Sequence, residues 1–249
     1  MSKYLIIAGH GMQKNGAFDP GATGFIKRGE HRYMTEILFP AMQKYADDRF
    51  IFFSAYNVYS YGNINELAKK YNASVIEMHF DATGNSNAKG GHIIVNRNFK
   101  PDDMDIRLRD ALASTIGVFS AYKHRGYGGI SGRSDLANVN RTGAGGINYR
   151  LVELGFGTNK HDADYMMNHV DKLAKALVEA IGGTKPISVK PSRTVAQKRP
   201  SKPSTSSSGT NTLHLPKNAS TWRIYRVNGP YTKGNEIGFL RPAKFGGLT

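Results

Sequence analysis

The stretch NINELAKKYNASVIEMHFD, residues 63–81, changes its period half-way, and that change decides the fold. Up to Tyr71 the apolar side chains Ile64, Leu67, Ala68 and Tyr71 recur at helical spacing and share one face. From Ala73 to Phe80 the chain becomes a short apolar run that reads as a strand. Comparable runs stand at Tyr4–Ala8, Phe50–Phe53, Gly91–Val95 and Tyr149–Leu154. A second helical face, Met166, Val170, Leu173 and Leu177, runs through Ala163–Ile181 until Gly182 stops it. Pro40 stands inside the otherwise amphipathic stretch Met34–Ala46, where its missing N–H predicts a break or kink. Strands alternating with helices predict an α/β fold: a mostly parallel sheet flanked by helices on both faces. In such sheets sites gather at the carboxyl ends of strands, and His10, Asp81 and Glu153 all fall near those ends.

Composition narrows the chemistry. The 249 residues, 39% of them hydrophobic, suffice for one good core and a small second one. No run approaches the roughly 18 apolar residues that would span a bilayer, so no membrane insertion is expected. The apolar stretch before His10 is too short for a secretory signal, which predicts synthesis in the cytoplasm without a signal peptide. There is no cysteine, so any metal must be held by histidine and carboxylate. The net charge of +15 is uneven: residues 184–211 carry six Lys or Arg and no acid, and residues 212–249 carry six against one Glu. That leaves 22 basic and 18 acidic groups, about +4, to residues 1–183. A basic tail predicts an acidic polymer as partner: nucleic acid, a membrane surface or an anionic cell-wall polymer.

Three parts follow from this. Residues 1–182 form the α/β domain, and residues 183–211, rich in Pro, Ser, Thr and Lys, read as a flexible basic linker. Residues 212–249 combine aromatic and β-branched runs with the turn signal Asn228-Gly229 and show no helical period, which predicts a small all-β module. Its 38 residues are fewer than the roughly 40 that an unstapled domain needs, so the module is expected to be partial.

Four residues carry the candidate chemistry. His10 follows the first strand between Gly9 and Gly11, and its alternative reading is a surface-loop histidine. Glu30 lies beyond a glycine-rich loop ahead of a predicted helix, where a first-turn carboxylate would serve the helix dipole equally well. His79 ends the run ASVIEMH, and strand alternation puts Glu77 on its face, either as an outer partner of a metal-binding histidine or as half of an ordinary buried pair. Glu153 sits inside the apolar segment YRLVELGFG, where burial would raise its pKa towards neutrality and suit it to general-base work.

The segments IAGHGMQKNGAFDPGATG with Glu30 following, VIEMHFDA, and LVELGFGTNKHDADYM resemble, in that order, the signature blocks of the zinc-dependent N-acetylmuramoyl-L-alanine amidases of the third amidase family. The resemblance covers about residues 4–181 and implies a mixed sheet flanked by helices. It implies a zinc ion held by His10, Glu30 and His79, with Glu36 as the alternative to Glu30, and Glu153 as the catalytic carboxylate. His31, His92, His124 and His161 match no ligand position and read as surface or cleft residues. The tail is loosely similar to bacterial SH3-like wall-binding modules, and the whole arrangement is similar to phage endolysins. It implies peptidoglycan and possibly teichoic acids of a Gram-positive wall as partners, a monomer, no nucleic acid, and release to the wall by a holin. The competing readings are a zinc peptidase or deacetylase acting on the wall and a non-catalytic wall-binding protein. A nucleic-acid binder would explain only the charge, because no recognition helix, finger spacing or phosphate-binding loop is present.

Overall fold

Strand β1 (Lys3–Ala8) buries every residue after Lys3, as its apolar run requires, and the sheet is assembled around it. The computed structural model describes residues 3–183 and two strands of the tail, Trp222–Tyr225 and Glu236–Leu240. After β1 comes a small hairpin, β2 (Gly11–Met12) and β3 (Phe18–Asp19). A helical stretch follows as α1 (Glu30–Tyr33), a π-helical turn (Met34–Leu38) and α2 (Phe39–Gln43). The chain continues through β4 (Phe50–Phe53), α3 (Val58–Tyr61), α4 (Ile64–Tyr71), β5 (Ala73–Asp81), β6 (His92–Asn96) and α5 (Asp103–Ala113). Next are the hairpin strands β7 (Lys123–His124) and β8 (Tyr127–Gly128), then β9 (Ile130–Arg133), α6 (Ala137–Ala144) and β10 (Tyr149–Phe156). Helices α7 (Lys160–Asn168) and α8 (Val170–Gly182) complete this unit.

The main sheet has six strands in the order β4-β1-β5-β10-β6-β9. Neighbours from β4 to β10 run parallel, β10 meets β6 antiparallel, and β6 and β9 are again parallel to each other. The sheet is therefore mixed and mostly parallel, with helices on both faces. One face packs Ile6, Ile76, Met78, Val152 and Leu154 under the helical stretch from Glu30 to Gln43 and under α5, α7 and α8. The other packs Leu5, Ile7, Val75, Ile94 and Leu151 under α3, α4 and α6. Because strand neighbours alternate, Glu77 and His79 on β5 and Glu153 on β10 all point to this second face.

Several expectations change in detail. The predicted helix Ala163–Ile181 is two helices, since His169 leaves the helical region (φ −124°, ψ 24°) and its N–H closes α7 on the Tyr165 carbonyl. Pro40 neither breaks nor ends its helix. The path begins four residues earlier than predicted, at Glu30, and the turn before the proline widens so that the Phe39 N–H reaches back to the Met34 carbonyl. Helix α5 escapes the sequence pattern because one of its buried positions, Asp105, is charged; it pairs with the buried Arg150 at 2.8 Å. Strand β9, ISGR, is too short and glycine-interrupted to show a period.

The chain divides into two units, Met1–Lys190 and Pro191–Thr249. In the second, Trp222–Tyr225 (β11) pairs antiparallel with Glu236–Leu240 (β12), with a register shift between Ile224 and Tyr225. The expected linker beyond Gly183, the Asn228-Gly229 turn and the remainder of the expected all-β module lie outside the described residues. Among the described residues no helix is long and apolar enough to cross a membrane.

Candidate active site

Gly9 ends the first strand's run, and His10 follows with φ 61°, a left-handed conformation that a non-glycine residue adopts at some cost and that turns its ring towards β5. Gly9 matters for a reason the sequence hid: a β-carbon there would lie 2.2 Å from the His79 ring. Gly21, at φ 71°, similarly leaves room for His10 and Glu30, with a β-carbon placed 2.5 Å from one and 2.6 Å from the other. Glu30, the first residue of α1, is 1% exposed and sits between the two imidazoles. Its Oε2 lies 3.2 Å from His10 Nε2 and its Oε1 lies 2.6 Å from His79 Nδ1. Ligand atoms of His10, Glu30 and His79 all fall within 4.8 Å of one another.

Each imidazole is held from behind by a further carboxylate. His10 Nδ1 donates to Asp19 Oδ2 at 2.8 Å, and Asn57 Nδ2 donates to the same oxygen at 3.3 Å. His79 Nε2 lies 3.2 Å from Glu77 Oε1, while Glu77 also accepts from Tyr149 Oη at 2.7 Å and from Asn138 Nδ2. Glu30 in turn accepts the backbone N–H groups of Ala22 and Phe80. Buried charge is strongly unfavourable unless paired, and here every charged oxygen of Glu30 and Glu77 has donors.

The electrostatics follow from this packing. Burial would lift the Glu30 carboxyl, but the charge of His79 and the hydrogen bond from His10 outweigh it and hold the pKa at about 2. Burial likewise opposes protonation of His10 and His79, yet Glu30 raises both, His79 well above its ordinary value. Glu77 is lowered, its burial overcome by the hydrogen bond and charge of His79. Protons on His10 and His79 and a bound cation would therefore compete for the same carboxylate-lined space. Two imidazole nitrogens and one carboxylate oxygen, each oriented by an outer hydrogen bond and with no sulfur, form a donor set that fits zinc.

Glu153 behaves oppositely. Its Cα stands in register with His79 on one side and His92 on the other. Its Oε2 is buried with no hydrogen-bond partner. Burial, resisted by the His79 charge and reinforced by the Glu30, Asp81 and Glu77 carboxylates, raises its pKa well above the usual range. A cleft of about 460 Å³ opens over this face, lined among others by His10, Tyr59, His79, Asn138, Tyr149 and Glu153. The arrangement sets a donor set suited to a cation beside a buried, unpartnered carboxylate oxygen, at a cleft open to solvent.

The family model described as N-acetylmuramoyl-L-alanine amidase (Amidase_3) matches residues 5–182. The chain belongs to this amidase family. It is 31% identical over 209 residues to a probable autolysin PH of Staphylococcus aureus, a match covering 74% of this chain. The chain spans only 39% of that curated relative's length. Solved amidase-fold structures include the catalytic domain of the CD27L endolysin targeting Clostridia difficile (TM-score 0.53, 21% identity, 74% of this chain and 98% of that one). Ami1 of Mycobacterium smegmatis is similar too (TM-score 0.57, 18% identity, 73% of this chain and 95% of that one). At these identities the likeness concerns the fold.

The remaining predicted residues of the amidase domain separate cleanly. Glu36 is outside the cluster, in an exposed ion pair with Arg28 at 2.7 Å. Asp81 ends β5, but its Oδ1 accepts the Ala82 N–H and it does not line the cleft. His31 and His92 are not surface residues: His31 is 7% exposed with Nδ1 on the Gly9 carbonyl, and His92 is 2% exposed. His124 binds the Phe99 carbonyl, and His161 stays exposed beside Asp162. Sequence reasoning missed Asp19, Asn57, Asn138 and Tyr149. Of these Tyr149 carried a usable signal, since it stands four residues before Glu153 on the same strand face.

Proposed function

We propose that the chain is a zinc-dependent peptidoglycan amidase that cuts the bond between the lactyl group of N-acetylmuramic acid and L-alanine. The observation that carries this reading is the convergence of His10, Glu30 and His79 beside the unpartnered Glu153 in one cleft. Zinc would be held by the His10 Nε2, Glu30 and His79 Nδ1 atoms that now face one another, and would supply a Lewis acid that polarises the amide carbonyl and makes water more acidic. Glu153 accepts the proton of the attacking water through the oxygen facing the cleft and returns it to the L-alanine nitrogen as the C–N bond breaks. Asp19 and Glu77 keep the two imidazoles in the tautomers that leave their inner nitrogens free. The substrate would lie in the cleft of about 460 Å³ whose walls include Tyr59 and Asn138.

The endolysin role belongs to the same proposal. Membership of a wall-amidase family and the fold likeness to an endolysin catalytic domain support it, together with the basic residues after 183. In this reading residues 1–182 are catalytic, 183–211 a tether, and 212–249 part of a wall-binding module whose positive charge suits teichoic acids. Its site of action is the wall, reached from the cytoplasm of the producing cell.

Digestion of purified peptidoglycan tests the activity. New N-terminal L-alanine without new reducing sugar, lost on chelation and restored by zinc, is expected. A different new amine terminus would mean a peptidase or deacetylase, and an intact wall a binding protein. Glu153→Ala should abolish turnover while zinc content stays stoichiometric; lysis by that variant would remove Glu153 from the mechanism.

A further inference from the structure

Among the described residues, His92 is the one buried histidine that the site's description leaves without work. It sits 2% exposed, and its Nδ1 is buried with no hydrogen-bond partner. Its ring is walled by Tyr122 at 4.8 Å and Phe119 at 6.3 Å between centroids. Buried polar atoms are nearly always paired, so an orphaned imidazole nitrogen asks for an explanation. The second orphan of this region is Glu153 Oε2, and the two residues are direct cross-strand partners on β6 and β10. Directly opposed residues of an antiparallel pair project to the same face with β-carbons about 5 Å apart. His92 therefore flanks Glu153 on the side away from His79.

We propose that His92 is a positioning residue for Glu153: a neutral imidazole whose N–H holds Oε2, directly or through one water, so that the other carboxylate oxygen is aimed into the cleft. The aromatic walls restrict the ring plane, and a single N–H donated to the carboxylate would satisfy both orphans at once. A free carboxylate could rotate about its last bond and present either oxygen, or neither, to the attacking water. Holding one oxygen removes that freedom, and misplacement of a reacting group by about 1 Å can cost on the order of a hundredfold in rate. Among the described residues nothing on the cleft side holds Oε2, and the nearby donors Asn138 and Tyr149 are committed to Glu77.

The inference rests on the amidase reading, and the experiment keeps the two apart. His92→Phe removes the donor while suiting the aromatic wall, and His92→Asn retains an N–H. In the full-length zinc-loaded protein acting on a soluble muramoyl-peptide, His92→Phe should lower kcat about ten- to a hundredfold. KM should stay within about twofold, with zinc content and Tm not reduced, and His92→Asn should recover most of kcat. Full kcat in His92→Phe overturns the positioning role but not the amidase reading, whereas no cleavage by the unsubstituted protein overturns both. Equal loss in both variants together with a fall in Tm also overturns it, as a packing effect. A readout independent of turnover is the imidazole ¹⁵N–H signal of His92 in ion-free protein. It should be protected and hydrogen-bonded in the unsubstituted chain and lose that protection in Glu153→Ala; a signal indifferent to Glu153 refutes the contact.

Discussion

Glu30 accepts two backbone N–H groups and faces two imidazoles, and the ion-free state of the site is set by how those imidazoles hold their protons. Their pKa values are raised, so the stabilisation they give the ion-free fold is complete below the ordinary histidine range and lost as pH climbs through the raised values. Zinc needs both nitrogens free, so its binding must expel protons and strengthen with pH. Calorimetric titration of zinc into ion-free protein in buffers of different ionisation enthalpy should show at least one proton released per ion, and weaker binding at pH 6 than at pH 8. Buffer-independent heats would contradict the shared-proton cluster. His92 has the opposite sign. Burial, with Arg133 adding to it, lowers its pKa from 6.5 to about 4, so the unfolded chain takes up a proton that the folded one refuses over that window. Stability must fall as pH drops through it, by on the order of 3 kcal/mol at most. Urea unfolding of His92→Phe should show a shallower loss between pH 6.5 and 4 than the unsubstituted protein; parallel curves would place the acid sensitivity elsewhere.

At the scale of elements, the site is a consequence of strand ends and of side chains that are missing. The parallel strands β1 and β5 deliver His10 and His79 side by side, and only because residue 9 lacks a β-carbon can the His79 ring lie across the backbone of β1. Gly9→Ala should leave the core strands intact and displace His79, lowering zinc affinity at least tenfold, the size of effect seen when a ligand's support is lost. Near-unchanged circular dichroism with weakened zinc binding is the expected pair of measurements, and unimpaired binding would refute the steric argument. The same scale explains what the sequence showed in advance. Strands β1, β5, β6 and β10 were legible because burial on both faces leaves a dense apolar run, and the half-buried edge strand β4 because all four of its residues are apolar; Glu77, His79 and Glu153 were legible because a charge inside such a run needs a reason. Asp19 and Asn57 were not, since short polar residues in loops serve turns and caps far more often than they orient a histidine, and Asn57 does cap α3 here as well. Helix α5 hid behind a buried Asp–Arg pair that breaks the apolar period.

At the scale of the whole molecule, both hydrophobic clusters among the described residues and every residue of the cleft lie between Tyr4 and Ile181, whereas most of the excess positive charge lies after residue 183. The proposed division of labour predicts that a chain ended after Gly183 folds, binds zinc and hydrolyses a soluble muramoyl-peptide with kcat within about twofold of the full chain, while its lysis of intact walls falls by an order of magnitude or more, the scale on which tethering raises local concentration. Added salt should narrow that gap, because the tail's attraction to an anionic wall is screened. Equal lysis by both chains would leave the tail without a targeting role.

The place of β10 in the sheet bears on when such an enzyme can first act. It is the last main-sheet strand to be made, yet it lies in the middle, between β5 and β6, and it carries Glu153. A ribosome-bound chain that has exposed His10, Glu30 and His79 still has an open seam where its central strand belongs. With Glu153 in its proposed role, catalytic competence would be withheld until synthesis had passed Phe156, and chains ended before that strand would be inert by topology.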